Sequence, residues 1–308
     1  MNILGKRYLF FGISMLAIIP GLLILILGGL PLSIDFTGGS LLEVRFESGK
    51  LPQPAEVIAL YESLNIKDTQ VQTTGSGSLV IRSSFLDDAV RGEVITEMQK
   101  KFADNVIVLR YDSVGPSIGK QVASRAALAV GVAALAIVIY ITLAFRKIPH
   151  ASRYGACAII AMIHDVAVVF SMAAIGSRLL GWEMDALFLT ALLTVIGFSV
   201  QDKIVVFDRV RENTNFLRRL PFETLVNHSI VQTLQRSINT QLMTVEFLLL
   251  ALALFGGVTL QEFAVILLVG LFSGTYSSIF IAAPILVVWE TREWRNWFRP
   301  RGERPAAA

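Results

Sequence analysis

TVIGFSVQDKIVVFDRVREN, residues Thr194 to Asn213, decides how the chain is read. Residues 186–200 carry no charge. Gln201, Asp202 and Lys203 follow, then the apolar run Ile204 to Phe207, and only afterwards Asp208, Arg209, Arg211 and Glu212. Asp202 therefore lies inside a hydrophobic span, not at its end. A charge at the bilayer centre costs roughly 2.5–3.5 kcal/mol. Asp202 sits about six residues, or roughly 9 Å of helical rise, past the middle of the 186–207 run. The cost there is smaller, yet the carboxyl still needs a partner, a proton or a water-filled cavity. An ionisable residue in that setting marks a functional site.

The surroundings fit a membrane protein. The chain has 308 residues, of which 54% are hydrophobic and 17% charged, against about 25% charged in soluble domains. The net charge of +3 does not point to nucleic acid, because the basic residues cluster beside apolar spans instead of on one soluble face. Cys157 is the one cysteine, so there is no disulfide within the chain and no cysteine-rich metal spacing. Its place in an apolar run reads as packing. No metal, cofactor or catalytic constellation is expected.

Six stretches reach transmembrane length, near 8–30, 125–145, 154–176, 186–207, 238–256 and 261–289. The first follows Lys6 and Arg7 without a small-residue cleavage site and reads as an uncleaved anchor. Lys and Arg recur near the N-terminus, in the 146–153 loop, in the 208–236 segment and in the tail from Arg292 to Arg304. The opposite loops hold little beyond Arg178. The positive-inside bias predicts cytoplasmic termini and an outer location for the long insert. The expected organisation is an N-terminus with helix 1 over 1–30, an extracytoplasmic domain over 31–122, helices 2 to 6 over 123–290, and a basic tail over 291–308.

Within the insert, 41–46 reads as a strand and 54–64 as a helix behind Pro54. Residues 69–74 and 79–83 read as a hairpin, 87–102 as an amphipathic helix and 106–111 as a last strand. The order βαββαβ is that of a ferredoxin-like domain. It has no histidine and no nucleophile–base pair, so it reads as a docking or binding module. Two motifs flank it: Ile34-Asp35-Phe36-Thr37-Gly38-Gly39 and Val114-Gly115-Pro116-Ser117-Ile118-Gly119. Glycine admits positive φ and proline fixes its own φ, so Asp35, Gly38, Gly39, Gly115 and Pro116 are expected to form the hinges between domain and membrane.

SIDFTGG after the first span, the βαββαβ insert, GPSIGKQ, IHDV in span three, GFSVQDKIVVFDRVREN and TLQRSINT together resemble the SecF family, over essentially the whole chain. That family is similar in architecture to the resistance-nodulation-division transporters. The resemblance implies a polytopic α-helical membrane protein with six transmembrane helices and a ferredoxin-like α+β domain between helices 1 and 2. It implies residence in the bacterial inner membrane with both termini cytoplasmic. The implied partners are SecD, the SecYEG translocon, the translocating polypeptide and protons, with the proton-motive force drawing polypeptide outward. By resemblance, Asp202 and Arg236 are the proton-path residues. The chain departs from the family pattern at Gln201-Asp202-Lys203, where Asn-Asp-Thr is usual, and at Ser33, where Gly is usual.

Lys203 lies about 100° round the helix from Asp202 and is expected to snorkel to the cytoplasmic interface. His164-Asp165 falls midway along span three, with Asp165 a candidate second acid of the relay and His164 able to titrate near neutral pH. Glu246 in span five is a further intramembrane acid without an assigned partner. Gly270 and Gly274, extended by Ser273, Ser277 and Ser278, form a small-residue face for close helix packing. Two other readings are an intramembrane aspartyl protease, since Asp165, Asp202 and Asp208 offer acid pairs, and a half-transporter for a lipid-like substrate.

Overall fold

The structure is a computed structural model and describes residues 2–74, 77–146, 151–217, 219–241, 247–255 and 258–293. In chain order the elements are α1 (Arg7–Gly28), α2 (Ile34–Thr37), β1 (Gly39–Phe46), α3 (Pro54–Ser63), β2 (Gln70–Thr73), β3 (Leu79–Ser83), α4 (Asp88–Phe102), β4 (Val106–Val114) and α5 (Pro116–Phe145). They continue with α6 (Ala151–Leu180), α7 (Ala186–Phe216), α8 (Phe222–Gln241), α9 (Phe247–Phe255), α10 (Val258–Ser277), a π-turn over Ser278–Ala282, and α11 (Ala283–Glu290). The chain divides into two compact units, Leu32–Ala129 and Met1–Pro31 with Val130–Ala308.

The smaller unit is an antiparallel sheet carrying two helices. Its strand order is β2-β3-β1-β4, so β3 and β4 flank β1 and the β1-α3-β2 crossover leaves room for β3. Period-two alternation explains which side is buried: Leu42, Val44 and Phe46 of β1 point inward, paired with β3 through Leu42↔Ile81 and Val44↔Leu79. Val57, Leu60 and Tyr61 of α3 and Val94 and Met98 of α4 close the core. Each such apolar side chain contributes about 1.5–3 kcal/mol on burial. The helix starts are specified locally. Pro54 opens α3 behind a Gln53–Glu56 capping box, and the Asp87 carboxylate accepts from Val90 N at 2.8 Å to open α4.

The two glycine motifs meet each other. Ser33 caps α2, its hydroxyl accepting from the Asp35 amide at 3.2 Å, so this serine does a job that glycine could not. Gly38 then turns the chain with φ +75°, and a Cβ there would lie 2.8 Å from Pro116 Cα. A Cβ on Gly119 would lie 2.6 Å from Gly38 N. The start of β1 and the start of α5 are thus backbone against backbone, and Gly115 closes the first turn of α5 by accepting from Gly119 N at 3.0 Å. α5 is unbroken from Pro116 to Phe145, so residue 122, the expected domain edge, falls inside a helix.

Among the described residues, five helical stretches are long and apolar enough to cross a membrane: Leu4–Gly28, Pro116–Phe145, Ser152–Leu180, Ala186–Phe216 and Leu260–Glu290. The stretch expected at 238–256 overlaps the end of α8 and α9, and 242–246, with Glu246, lies outside the described residues. α10 packs against both α6 and α7, with Gly270 and Gly274 on the α7 side. A Cβ on Gly270 would meet Val195 Cγ2 at 2.3 Å, and one on Gly274 would meet Ser199 Cα at 3.3 Å. Small residues let membrane helices approach this closely. At one end of the bundle Arg7 pairs with Glu223 at 2.7 Å and Glu293 at 2.5 Å, and Arg153 with Glu290 at 2.5 Å. At the other, Met184 N donates to Pro31 O at 2.8 Å. Outer faces of α1 and α5, such as Leu16, Leu27, Leu128 and Leu135, are exposed apolar surface suited to hydrocarbon.

Candidate functional site in the membrane bundle

Two carboxylates lie in the interior of the helical unit, each held by serine hydroxyls. Asp165 of α6 is fully buried. Its Oδ2 accepts from Ser199 Oγ at 2.6 Å, Lys203 Nζ at 2.6 Å and Ser277 Oγ at 2.7 Å. Its Oδ1 accepts from Ser273 Oγ at 2.7 Å and faces His164 Nδ1 at 3.1 Å. The donors come in helical pairs: Ser199 and Lys203 are one turn apart on α7, and Ser273 and Ser277 one turn apart on α10. Lys203 is fully buried too, and its ammonium also donates to Ser199 O at 3.2 Å and Ser199 Oγ at 2.5 Å. Its three protons are therefore satisfied, and the expectation that it snorkels to the interface is overturned. A buried ammonium is tolerable only with such partners.

Asp202, one residue earlier on α7, faces elsewhere. Its Oδ1 accepts from Ser237 Oγ of α8 at 2.8 Å, and its Oδ2 accepts from Ser278 Oγ at the head of the π-turn. Among the described residues both partners are neutral hydroxyls, and no cation pairs with Asp202. Asp202 is 6% exposed. Arg236, the residue before Ser237, is exposed on α8 and forms no ion pair with Asp202. His164 stacks on Tyr276 and leaves its Nε2 buried without a hydrogen-bond partner among the described residues. Asp208 sits outside this interior, paired with Arg211 at 2.7 Å in an exposed position.

Residues 94–292 match the family described as "Protein export membrane protein SecD/SecF, C-terminal". The chain belongs to the SecD/SecF family. Residues 24–50 match the SecD/SecF GG motif, which takes in Gly38 and Gly39. The chain is similar to the protein translocase subunit SecF of Anaerolinea thermophila, 70% identical over the full length of both chains. It is 45% identical to that of Thermobaculum terrenum, covering 100% of this chain and 99% of the other. Among solved structures it resembles SecDF, a translocon-associated membrane protein of Thermus thermophilus, at 33% identity and a TM-score of 0.78. The similarity covers 95% of this chain and 39% of that one.

In this SecD/SecF family member the sequence located both acids but not their surroundings. It brought Asp165 and Asp202 forward as separate charges; the fold bonds them to consecutive serines, Ser277 and Ser278. Gly270 and Gly274, read as a packing face, lie against α7 within the chain and so admit Ser273 and Ser277 to Asp165. Ser199 and Ser237 went unnoticed. The one available signal was spacing, Ser199 four residues before Lys203 and Ser273 four before Ser277.

Proposed function

We propose that this chain is a SecF-type subunit of the Sec protein-export machinery. It works with SecD beside the SecYEG translocon, and the proton-motive force promotes polypeptide translocation across the bacterial inner membrane. Asp202 takes up and releases the proton, Arg236 is its cationic counterpart, and Asp165 is a second acid of the path whose charge Lys203 balances. The observation that carries this is Asp202 itself, a buried carboxyl held only by Ser237 and Ser278 among the described residues. A carboxyl with neutral partners in a bundle changes its charge at less cost than one locked to an ammonium. Exposed Arg236 has its guanidinium available to a neighbouring subunit, in keeping with a SecD partner. The single-chain SecDF of Thermus thermophilus, 38% identical over 86% of this chain, carries both subunit names in one polypeptide.

The same reading makes the segment 238–256 the sixth span and puts both termini in the cytoplasm. The Arg7, Arg153 and Arg209 cluster beside span ends supports that orientation. The smaller unit, with strand order β2-β3-β1-β4, is a ferredoxin-like domain that binds emerging chain, its motion set at Asp35, Gly38-Gly39 and Gly115-Pro116. A protease would require two acids sharing a proton, whereas Asp165 is bound to Lys203 and Asp202 to different serines. Nothing comparable supports a lipid half-transporter.

The test is Asp202→Asn, co-expressed with SecD and reconstituted in vesicles with the translocon. Assembly is expected to be normal and potential-dependent export lost. Arg236→Lys is expected to keep more export than Arg236→Met. Normal export by Asp202→Asn would end this assignment.

A further inference from the structure

Ser277 and Ser278 are adjacent in sequence and bond to different acids on different helices. Ser277 Oγ donates to Asp165 of α6 at 2.7 Å, and Ser278 Oγ donates to Asp202 of α7. Adjacent side chains on a helix diverge by about 100°. The divergence here coincides with the change from α-helix to π-turn, which begins at Ser278. Such turns hold one residue more than an α-turn and recur at functional sites.

The two serines differ in what their acceptor can do. Asp165 is paired with the Lys203 ammonium at 2.6 Å, so Ser277 bonds to an acid that already has a cationic partner. Asp202 has no cation among the described residues. Each serine has a second, backbone acceptor within reach, Gly274 O at 3.1 Å for Ser277 and Thr275 O at 2.8 Å for Ser278, and a hydroxyl carries one proton. A hydrogen bond to a charged group is worth about 1.5–3 kcal/mol against about 0.5–1.5 for a neutral pair. With Asp202 ionised, the Ser278 proton belongs on the carboxylate. Once Asp202 is protonated that advantage is gone, the carboxyl becomes a donor itself, and the Ser278 proton returns to Thr275 O. Among the described residues, these groups face the pair. α8 supplies Ser237, with Arg236 exposed beside it; α6 supplies Asp165 and His164; α7 supplies Asp202, Ser199 and Lys203; α10 supplies Ser273 and Ser277.

We propose that the Ser277–Ser278 pair reads the proton on Asp202, with Ser277 pinned by the Asp165–Lys203 pair and Ser278 alternating between Asp202 and the Thr275 carbonyl as the π-turn rewinds. This rests on Asp202 being the titrating acid. Ser278 is a positioning residue, converting the proton into a change in the α10–α11 rod.

The experiment uses the full chain with SecD in vesicles. It follows the infrared band of the protonated carboxyl against pH, assigned to Asp202 by its loss in Asp202→Asn, together with potential-driven export. Ser278→Ala removes a donor to the carboxylate, so the Asp202 midpoint is expected to move up by about one pH unit, tenfold in proton affinity. The pH profile of export should follow it. Ser278→Thr is expected to keep the wild-type midpoint and Ser277→Ala to leave it in place. If Ser278→Ala does not assemble, Ser278→Cys, a weaker donor of similar size, should give a smaller shift in the same direction. An unmoved midpoint in Ser278→Ala or Ser278→Cys, or an equal shift in Ser277→Ala, overturns the proposal while leaving Asp202 its role, provided Asp202→Asn abolishes export. If Asp202→Asn exports normally, the role of Asp202 falls, and the reader with it.

Discussion

Lys203 Nζ stands 2.6 Å from Asp165 Oδ2 with 0% and 1% of the two side chains exposed. The pair ties α7 to α6 in the interior of the bundle, and Ser273 and Ser277 bring α10 to the same carboxylate. Its neighbour Asp202 has no such cation, and this difference separates the two acids.

Breaking the pair from one side leaves a buried charge alone, which costs about 3–5 kcal/mol. Lys203→Met is therefore expected to lower the unfolding midpoint of the purified protein strongly. Adding Asp165→Leu to it should restore much of the loss, because replacing both charges by apolar groups is often neutral. Thermal unfolding in one detergent, read for the two single variants and the double, checks this. Additive losses would mean that the two residues do not act as a pair.

The glycine clasp makes a different prediction. Gly38 has φ +75°, and both Gly38 and Gly119 face backbone closer than any Cβ tolerates. Gly38→Val is expected to cost more than about 1–3 kcal/mol, roughly the strain of its positive-φ, extended-ψ backbone alone. Gly119→Ala should cost about 1–3 kcal/mol through overpacking. Limited proteolysis of the full chain should show new cleavage between residues 32 and 129 in both variants, while the helical unit stays resistant. Gly49, with φ +72° and open space around it, is the control: Gly49→Ala meets the backbone penalty without the clash.

The smaller unit also carries a polar group without a partner among the described residues. Tyr61 is fully buried and its hydroxyl has no hydrogen-bond partner among the described residues. Burial, with a smaller contribution from Tyr111, pushes the phenol well above its ordinary value. The folded form thus holds the proton more tightly than the unfolded chain. Its contribution is fully present below about pH 10, the unfolded value, and is lost as pH rises toward the folded one. Amide exchange at β1 and β3 in the full chain should show that stability falling above about pH 10. Tyr61→Phe should flatten the decline and add about 1 kcal/mol at neutral pH, since an unsatisfied hydroxyl is removed. A destabilised Tyr61→Phe would reveal a partner for the hydroxyl.

What could be read in advance followed from how far each signal reaches. Asp202 stood out because a charge within an apolar run is visible from a single helix. The strands and helices of the smaller unit were legible from alternation and from caps at Pro54 and Asp87, to within a few residues. β4 runs on to Val114 because it pairs with β1 as far as Gly39↔Val114, which no local pattern announces. Lys203 was misread because its burial depends on Asp165, 38 residues away, and on serines of α10 that lie 108 and 112 residues from that acid. Read alone, a lysine near a span end snorkels. α2 escaped notice since four residues carry no periodicity. The meeting of Gly38 with Gly119 needed the whole domain between them to fold.

The π-turn over Ser278–Ala282 has one more consequence, for the bookkeeping of phase along the last span. An α-helix advances about 100° per residue. One residue held in excess therefore rotates everything after it by that amount. Glu290, which pairs with Arg153 at 2.5 Å, takes its bearing from this offset. A one-residue deletion between 278 and 282 would leave composition and hydropathy almost untouched, yet carry Glu290 away from Arg153. Along this stretch, length is under tighter constraint than identity.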